Sequence, residues 1–72
     1  ISQRRAVILL YQYNKIPANS TVEWVKLGYT KLLIANNNTI LIPTWNVKIK
    51  SDTSGIVQYR RLNAFTGAIM DD

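Results

Sequence analysis

The side chains that could carry acid–base or nucleophilic chemistry are few. The 72 residues include no histidine and no cysteine. That removes the commonest general base and metal ligand, the thiolate nucleophile, and any thiolate zinc site or disulfide framework. Four carboxylates remain, at Glu23, Asp52, Asp71 and Asp72. Two of these are terminal, and the other two share no spacing that would pair them for catalysis. A serine–lysine arrangement would need Ser2, Ser20, Ser51 or Ser54 beside a buried lysine, and no motif supports one. The sequence therefore reads as a non-enzyme with no cofactor and no metal.

What the chain does offer is recognition chemistry. Trp24, Tyr29, Trp45 and Tyr59 are interleaved with lysines and arginines. On a sheet, such rings could form a stacking platform for nucleic acid. Trp45 shares its parity with Val47 and Ile49, which assigns it to a core, and the same bland reading is preferred for Trp24 and Tyr29. No RNA-recognition strand signature is present. Arg60 and Arg61 are the densest charge in the second half and would point to opposite faces of a strand. Arg60, Arg61, Trp24 and Tyr29 are the candidate partner contacts. Pro43, Trp45, Asn63, Ala64, Thr66 and Gly67 are structural punctuation.

The elements that position these residues follow from periodicity. Ala6, Leu9, Leu10, Tyr13 and Ile16 fall at helical spacing, which predicts a helix capped by Ser2 and closed before Pro17. Thr21 to Ile34 is rich in strand formers, but Glu23 and Lys31 share a parity that Lys26 lacks. A β-bulge at Gly28 would reconcile them. Ala35-Asn-Asn-Asn-Thr39 reads as a hairpin turn. Thr39 to Lys50 is a strand in which Trp45, Val47 and Ile49 alternate with Asn46, Lys48 and Lys50. Pro43 puts part of that strand at an edge, at a bulge, or without a pairing partner on that side. Ser51-Asp-Thr-Ser-Gly55 turns into a last strand from about Ile56 to Ala64. Gly67 then closes a turn at positive φ, and Ala68-Ile69 return to the core. The expected fold is α+β, one N-terminal helix packed on a three-stranded antiparallel meander sheet.

Length allows a single domain over residues 1–72, with a marginal core. An apolar content of 47% argues against disorder. No apolar run approaches the roughly 20 residues needed to span a bilayer. The chain opens at Ile1, without a methionine, so it is expected to be a piece of something longer. The formal net charge is +5, and residues 1–50 carry seven basic groups against one acid. Such a surface attracts anionic partners.

Two segments carry a family resemblance. Pro43-Thr-Trp-Asn-Val47 and Asn63-Ala-Phe-Thr-Gly-Ala-Ile69 resemble the close of PepSY-like domains. Leu10-Tyr, Ile16-Pro, Trp24-Val-Lys-Leu-Gly-Tyr29 and Leu41-Ile-Pro-Thr-Trp45 resemble the C-terminal part of the YycI (WalI) regulatory proteins. The resemblance covers about residues 6–69. It implies a PepSY-like fold and an extracytoplasmic domain of a Gram-positive bacterium, tied to the membrane only through an N-terminal helix absent from this stretch. It implies partners too, a sensor histidine kinase ectodomain and a YycH-like protein, in control of cell-wall metabolism. The family supplies no catalytic motif. A non-catalytic interaction domain is thus the leading expectation, and a small basic nucleic-acid-binding domain is the alternative.

Overall fold

The helix starts where Ser2 caps it. The Ser2 backbone is extended, and its hydroxyl oxygen accepts from the Arg5 N–H at 3.0 Å, filling one of the donors left open at a helix start. Helix α1 runs Gln3–Gln12. It stops four residues short of Ile16 because Asn14 takes a left-handed φ of 57°. The Lys15 N–H then reaches the Leu10 carbonyl at 2.8 Å and the Asn14 N–H the Tyr11 carbonyl at 3.1 Å. That pair of bonds is the Schellman closure, with asparagine where glycine is commoner. Tyr13 consequently leaves the apolar stripe and is exposed, while Ile16 reaches the core from the following loop.

Three strands follow: β1 (Ser20–Leu33), β2 (Thr39–Ser51) and β3 (Val57–Asn63). They form one antiparallel sheet in the order β1-β2-β3, so the architecture is α+β, a helix followed by a three-stranded meander. The computed structural model describes residues 1–70. The solvated end expected at Asp71 and Asp72 lies outside the described residues.

Register explains the uneven alternation of β1, and the irregularity is not at Gly28. Val22 pairs with Ile49 and Trp24 with Lys48, so two steps on β1 match one on β2. Glu23 is the extra residue of a bulge. Past it, Val25 and Leu27 share a face with Val47 and Trp45, while Trp24 and Lys26 share the opposite face with Lys48 and Asn46. Gly28 sits in regular register opposite Thr44.

The turns use left-handed residues where the chain must reverse. Asn36 and Asn37 adopt φ of 64° and 59°, and the Ile34 N–H bonds the Asn38 carbonyl at 2.8 Å. Between β2 and β3, Gly55 takes φ 75° and its N–H bonds the Ser51 carbonyl at 3.1 Å. Pro43 lies where β2 outruns β3. The last β2–β3 pair is Thr44 with Asn63, and the Pro43 carbonyl accepts from the Ala64 N–H at 2.8 Å on that side. The N–H that proline lacks would point to the same flank, where no ladder continues.

The core lies between α1 and one face of the sheet. Ala6, Leu10, Ile16, Val47, Ile49 and Leu62 are buried together, with Val7, Leu9, Val22, Val25, Trp45 and Ile69 packed around them. Trp45 is half-buried rather than enclosed, and its indole N–H donates to the Ile1 carbonyl at 2.9 Å. The Ile1 amino group in turn donates to the Ala64 carbonyl. A helix of 10 residues is about 15 Å long, whereas 14 residues of strand span about 46 Å. The molecule measures 46 × 22 × 18 Å. The helix therefore covers only a part of one face, and the β1–β2 hairpin projects beyond it.

Candidate interaction surface

The sheet has a face that no helix covers. Cross-strand neighbours share a face, so register alone assigns its occupants. Near its base, Thr21, Lys50 and Val57 form one row, Trp24, Lys48 and Tyr59 the next, and Lys26, Asn46 and Arg61 a third. The Trp24 and Tyr59 rings come to 6.1 Å between centroids at a tilt of 46°, although β2 lies between their strands. Lys26 Nζ lies 4.6 Å from the Trp24 ring centroid, a cation–π distance. Lys48 Nζ is 3.6 Å from Glu23 Oε1, with both side chains partly in water. The bulge makes this pairing possible by turning Glu23 to the same side as Trp24.

The four candidate contacts do not form one patch. Trp24 and Arg61 occupy the uncovered face. Arg60 pairs with Val47 and Tyr29 with Pro43, which puts them on the helix side of the sheet. The core assignment preferred for Tyr29 does not hold, because its ring is 69% exposed on the projecting hairpin. Trp24 is half-buried, by Tyr59 and Lys26 rather than by the core. Arg60 Nη2 donates to Gln58 Oε1 at 3.3 Å.

Residues 63–67 form a closed loop. Asn63 Oδ1 accepts from the Phe65 and Thr66 N–H groups at 2.8 and 3.0 Å. The Gly67 N–H returns to the Asn63 carbonyl at 2.8 Å. Gly67 is buried at φ 77°. A Cβ there would stand 2.8 Å from Leu9 Cδ1. Thr66 Oγ1 accepts from the Ala68 N–H at 3.2 Å, and Ile69 then bridges to Leu62.

Ser2 caps the helix, and Ser51 and Ser54 accept backbone bonds in the turn after β2. Ser20, Ser51 and Ser54 line one hollow of about 200 Å³ at the end of the core, and Ser51 and Ser54 also border an open hollow with Lys50, which is exposed, Glu23 and Asp52. The Ser51 oxygen accepts from the Ser54 N–H at 3.2 Å, a turn role. Among the described residues no three carboxylates converge on a metal position. Among the described residues no helix is long and apolar enough to cross a membrane.

Residues that sequence reasoning did not single out are the apolar ones of the projecting hairpin. Leu27, Leu32, Leu33, Ile34, Ile40 and Leu41 are all exposed, Leu33 to 74%. Strand propensity assigns them to a sheet but not to a partnerless stretch of it. The available signal is length, since two strands of 14 and 13 residues outrun a third of 7.

No curated protein and no solved structure matches this chain. The family model described as YycI protein matches residues 1–65. That span takes in the helix, the whole sheet and the opening of the Asn63 loop, so the match and the fold cover the same unit. By its residues and by this match, the chain belongs to the YycI family, regulators of a two-component signalling system.

Proposed function

We propose that this chain is a non-catalytic contact domain, the C-terminal piece of an extracytoplasmic, membrane-anchored regulator in a Gram-positive bacterium. Its partners in this reading are the ectodomain of the sensor histidine kinase that governs cell-wall metabolism and a YycH-like protein. Regulation then works through surface complementarity, and the fold is PepSY-like. The observation that carries the reading is the uncovered, largely apolar β1–β2 hairpin. Large exposed apolar patches on small soluble domains mark interaction surfaces, and Leu27, Tyr29, Leu32, Leu33, Ile34, Ile40 and Leu41 are clustered on one hairpin. Family membership supplies the class of partner. Nucleic-acid binding has no support: the family is one of regulatory proteins, and half of the uncovered surface offers nothing to a phosphate backbone.

The test is calorimetry of this chain against the kinase ectodomain at physiological salt. Saturable binding with a negative heat-capacity change is expected, since apolar area is buried. Absence of binding to both the ectodomain and the YycH-like protein would overturn the proposal.

A further inference from the structure

The two rims of the sheet differ. Beyond β3 the chain doubles back, so that Ile69 bridges Leu62. There the Asn63 N–H reaches the Ala68 carbonyl at 2.8 Å and the Met70 N–H the Arg61 carbonyl at 2.9 Å. β1 is the other rim, and among the described residues no strand pairs with its outer side. The Ile34 N–H bonds the Asn38 carbonyl, and hydrogen-bonded pairs alternate along an antiparallel ladder. Leu32, Thr30, Gly28, Lys26 and Trp24 therefore turn their main-chain groups toward β2. Val25, Leu27, Tyr29, Lys31 and Leu33 turn theirs outward. From Trp24 to Leu33 this rim has neither a proline nor a bulge, and Leu27 and Tyr29 on it are well exposed. A long, regular, apolar rim is a template for another strand.

We propose that a second copy of this chain covers it, β1 pairing antiparallel with β1 about a two-fold axis at Gly28, to give a six-stranded sheet. The chain's own pattern selects this occupant and this register. With Gly28 on the axis, Trp24 lies opposite Leu32 of the second copy and Leu27 opposite its Tyr29. Lys26 meets its Thr30, and Val25 its Lys31. Outward groups then meet outward groups in four hydrogen-bonded pairs, about eight main-chain bonds. No like charges stand opposite each other. An axis at Lys26 would set that lysine against itself. At Leu27 it would run Leu32 and Leu33 onto the bulge of the other copy, and at Tyr29 it would set Leu27 against Lys31. An axis between two residues would mate outward groups with inward ones. Gly28 already leaves room for Asn46 Nδ2, which a Cβ would meet at 3.0 Å. Its bare backbone serves the axis as well, where a non-hydrogen-bonded pair approaches to about 4.5 Å. Both helices lie on one face of the joined sheet, because paired residues share a face. The pairing leaves Ile40 and Leu41 of β2 open, and it stands independently of the regulator reading.

Sedimentation equilibrium of the 72-residue chain from micromolar to millimolar concentration, with amide exchange followed by NMR, tests this at physiological salt. A monomer–dimer equilibrium is expected, tighter as salt screens the +5 charge of each copy. The N–H groups of Leu27, Tyr29 and Lys31 should become protected only in the dimer. The chain has no cysteine, so oxidising an equal mixture of Lys26→Cys and Thr30→Cys reads the register. The mixed disulfide should form at least tenfold faster than a disulfide in either variant alone. Tyr29→Pro removes an N–H that points away from β2, and Leu27→Lys adds two cations beside the axis. Each should weaken the dimer at least tenfold and leave the far-UV spectrum of the monomer unchanged. A monomer at all concentrations, a larger assembly, protection confined to α1, or no preference for the mixed disulfide would each overturn the proposal. So would protection of the same N–H groups only on adding the kinase ectodomain, which would assign the rim to that partner. A chain that binds the ectodomain but never dimerises keeps the regulator reading and loses this one. Dimerisation without ectodomain binding does the reverse.

Discussion

Trp24 and Tyr59 meet across a strand that lies between their own. Adjacent strands are about 4.8 Å apart, so residues two strands away stand nearly 10 Å apart at the backbone. Their ring centroids are nonetheless 6.1 Å apart, because both rings lean over Lys48, the residue paired with each of them. The uncovered face is thus ordered by its own side chains. Tyr59→Ala is expected to cost about 1 kcal/mol, within the range of one aromatic pair plus some lost area. It should also red-shift Trp24 emission, and urea titration followed by fluorescence in a Trp45→Phe background reads both. An unchanged emission maximum would mean the rings do not shield each other.

How much of this was legible depends on which force sets each feature. The helix and three strands follow from periodicity and turn chemistry, which are local, so Ser2, the Asn triplet and Gly67 mark their places in the sequence. The bulge was legible as a need but not as a position. Glu23, Lys26 and Lys31 require a change of facing somewhere. Gly28 is the permissive residue, yet the pairing of Val22 with Ile49 and Trp24 with Lys48 decides the matter through β2. The helix end was misplaced because Pro17 is a stronger signal than Asn14. A left-handed asparagine closed by Lys15 and Tyr11 is visible only as a set of bonds. The core reading preferred for Tyr29 fails because a core needs a covering layer that α1 is too short to provide.

Two glycines with the same φ should respond differently. Gly55 and Gly67 stand at 75° and 77°, so an alanine at either pays the left-handed penalty of about 1–2 kcal/mol. At Gly55 the new Cβ meets nothing within 4 Å, whereas at Gly67 it stands 2.8 Å from Leu9 Cδ1. Gly67→Ala is therefore expected to cost about 1 kcal/mol more than Gly55→Ala, the low end of overpacking. Chemical denaturation of the two variants checks the difference. Equal losses would mean that Leu9 yields freely.

Asn63 acts through one oxygen. Its Oδ1 accepts from two backbone N–H groups in the exposed turn. Asn63→Ala should cost about 1–2 kcal/mol, two modest bonds partly replaced by water. Asn63→Asp keeps the acceptor and should recover most of the loss in thermal melts. If aspartate proves as damaging as alanine, the bonds are not what holds the loop.

The bulge makes a prediction about deletions. Removing Glu23 leaves Val22 followed directly by Trp24, and the faces still alternate, Val22 with Ile49 and Trp24 with Lys48. Every side chain keeps its side of the sheet, and the loss is confined to one exposed ion pair worth about 0–1 kcal/mol. Removing Lys26 instead forces a slip that turns one flank of β1 over, since side-chain period is two. Either Val25 then leaves the face it shares with Val47, or Leu27 and the rest of the strand leave the face shared with Trp45. The Glu23 deletion is expected to melt within a few degrees of the parent with Trp24 emission preserved, and the Lys26 deletion to lose cooperative unfolding. The reverse order of stabilities would place the extra residue elsewhere in β1.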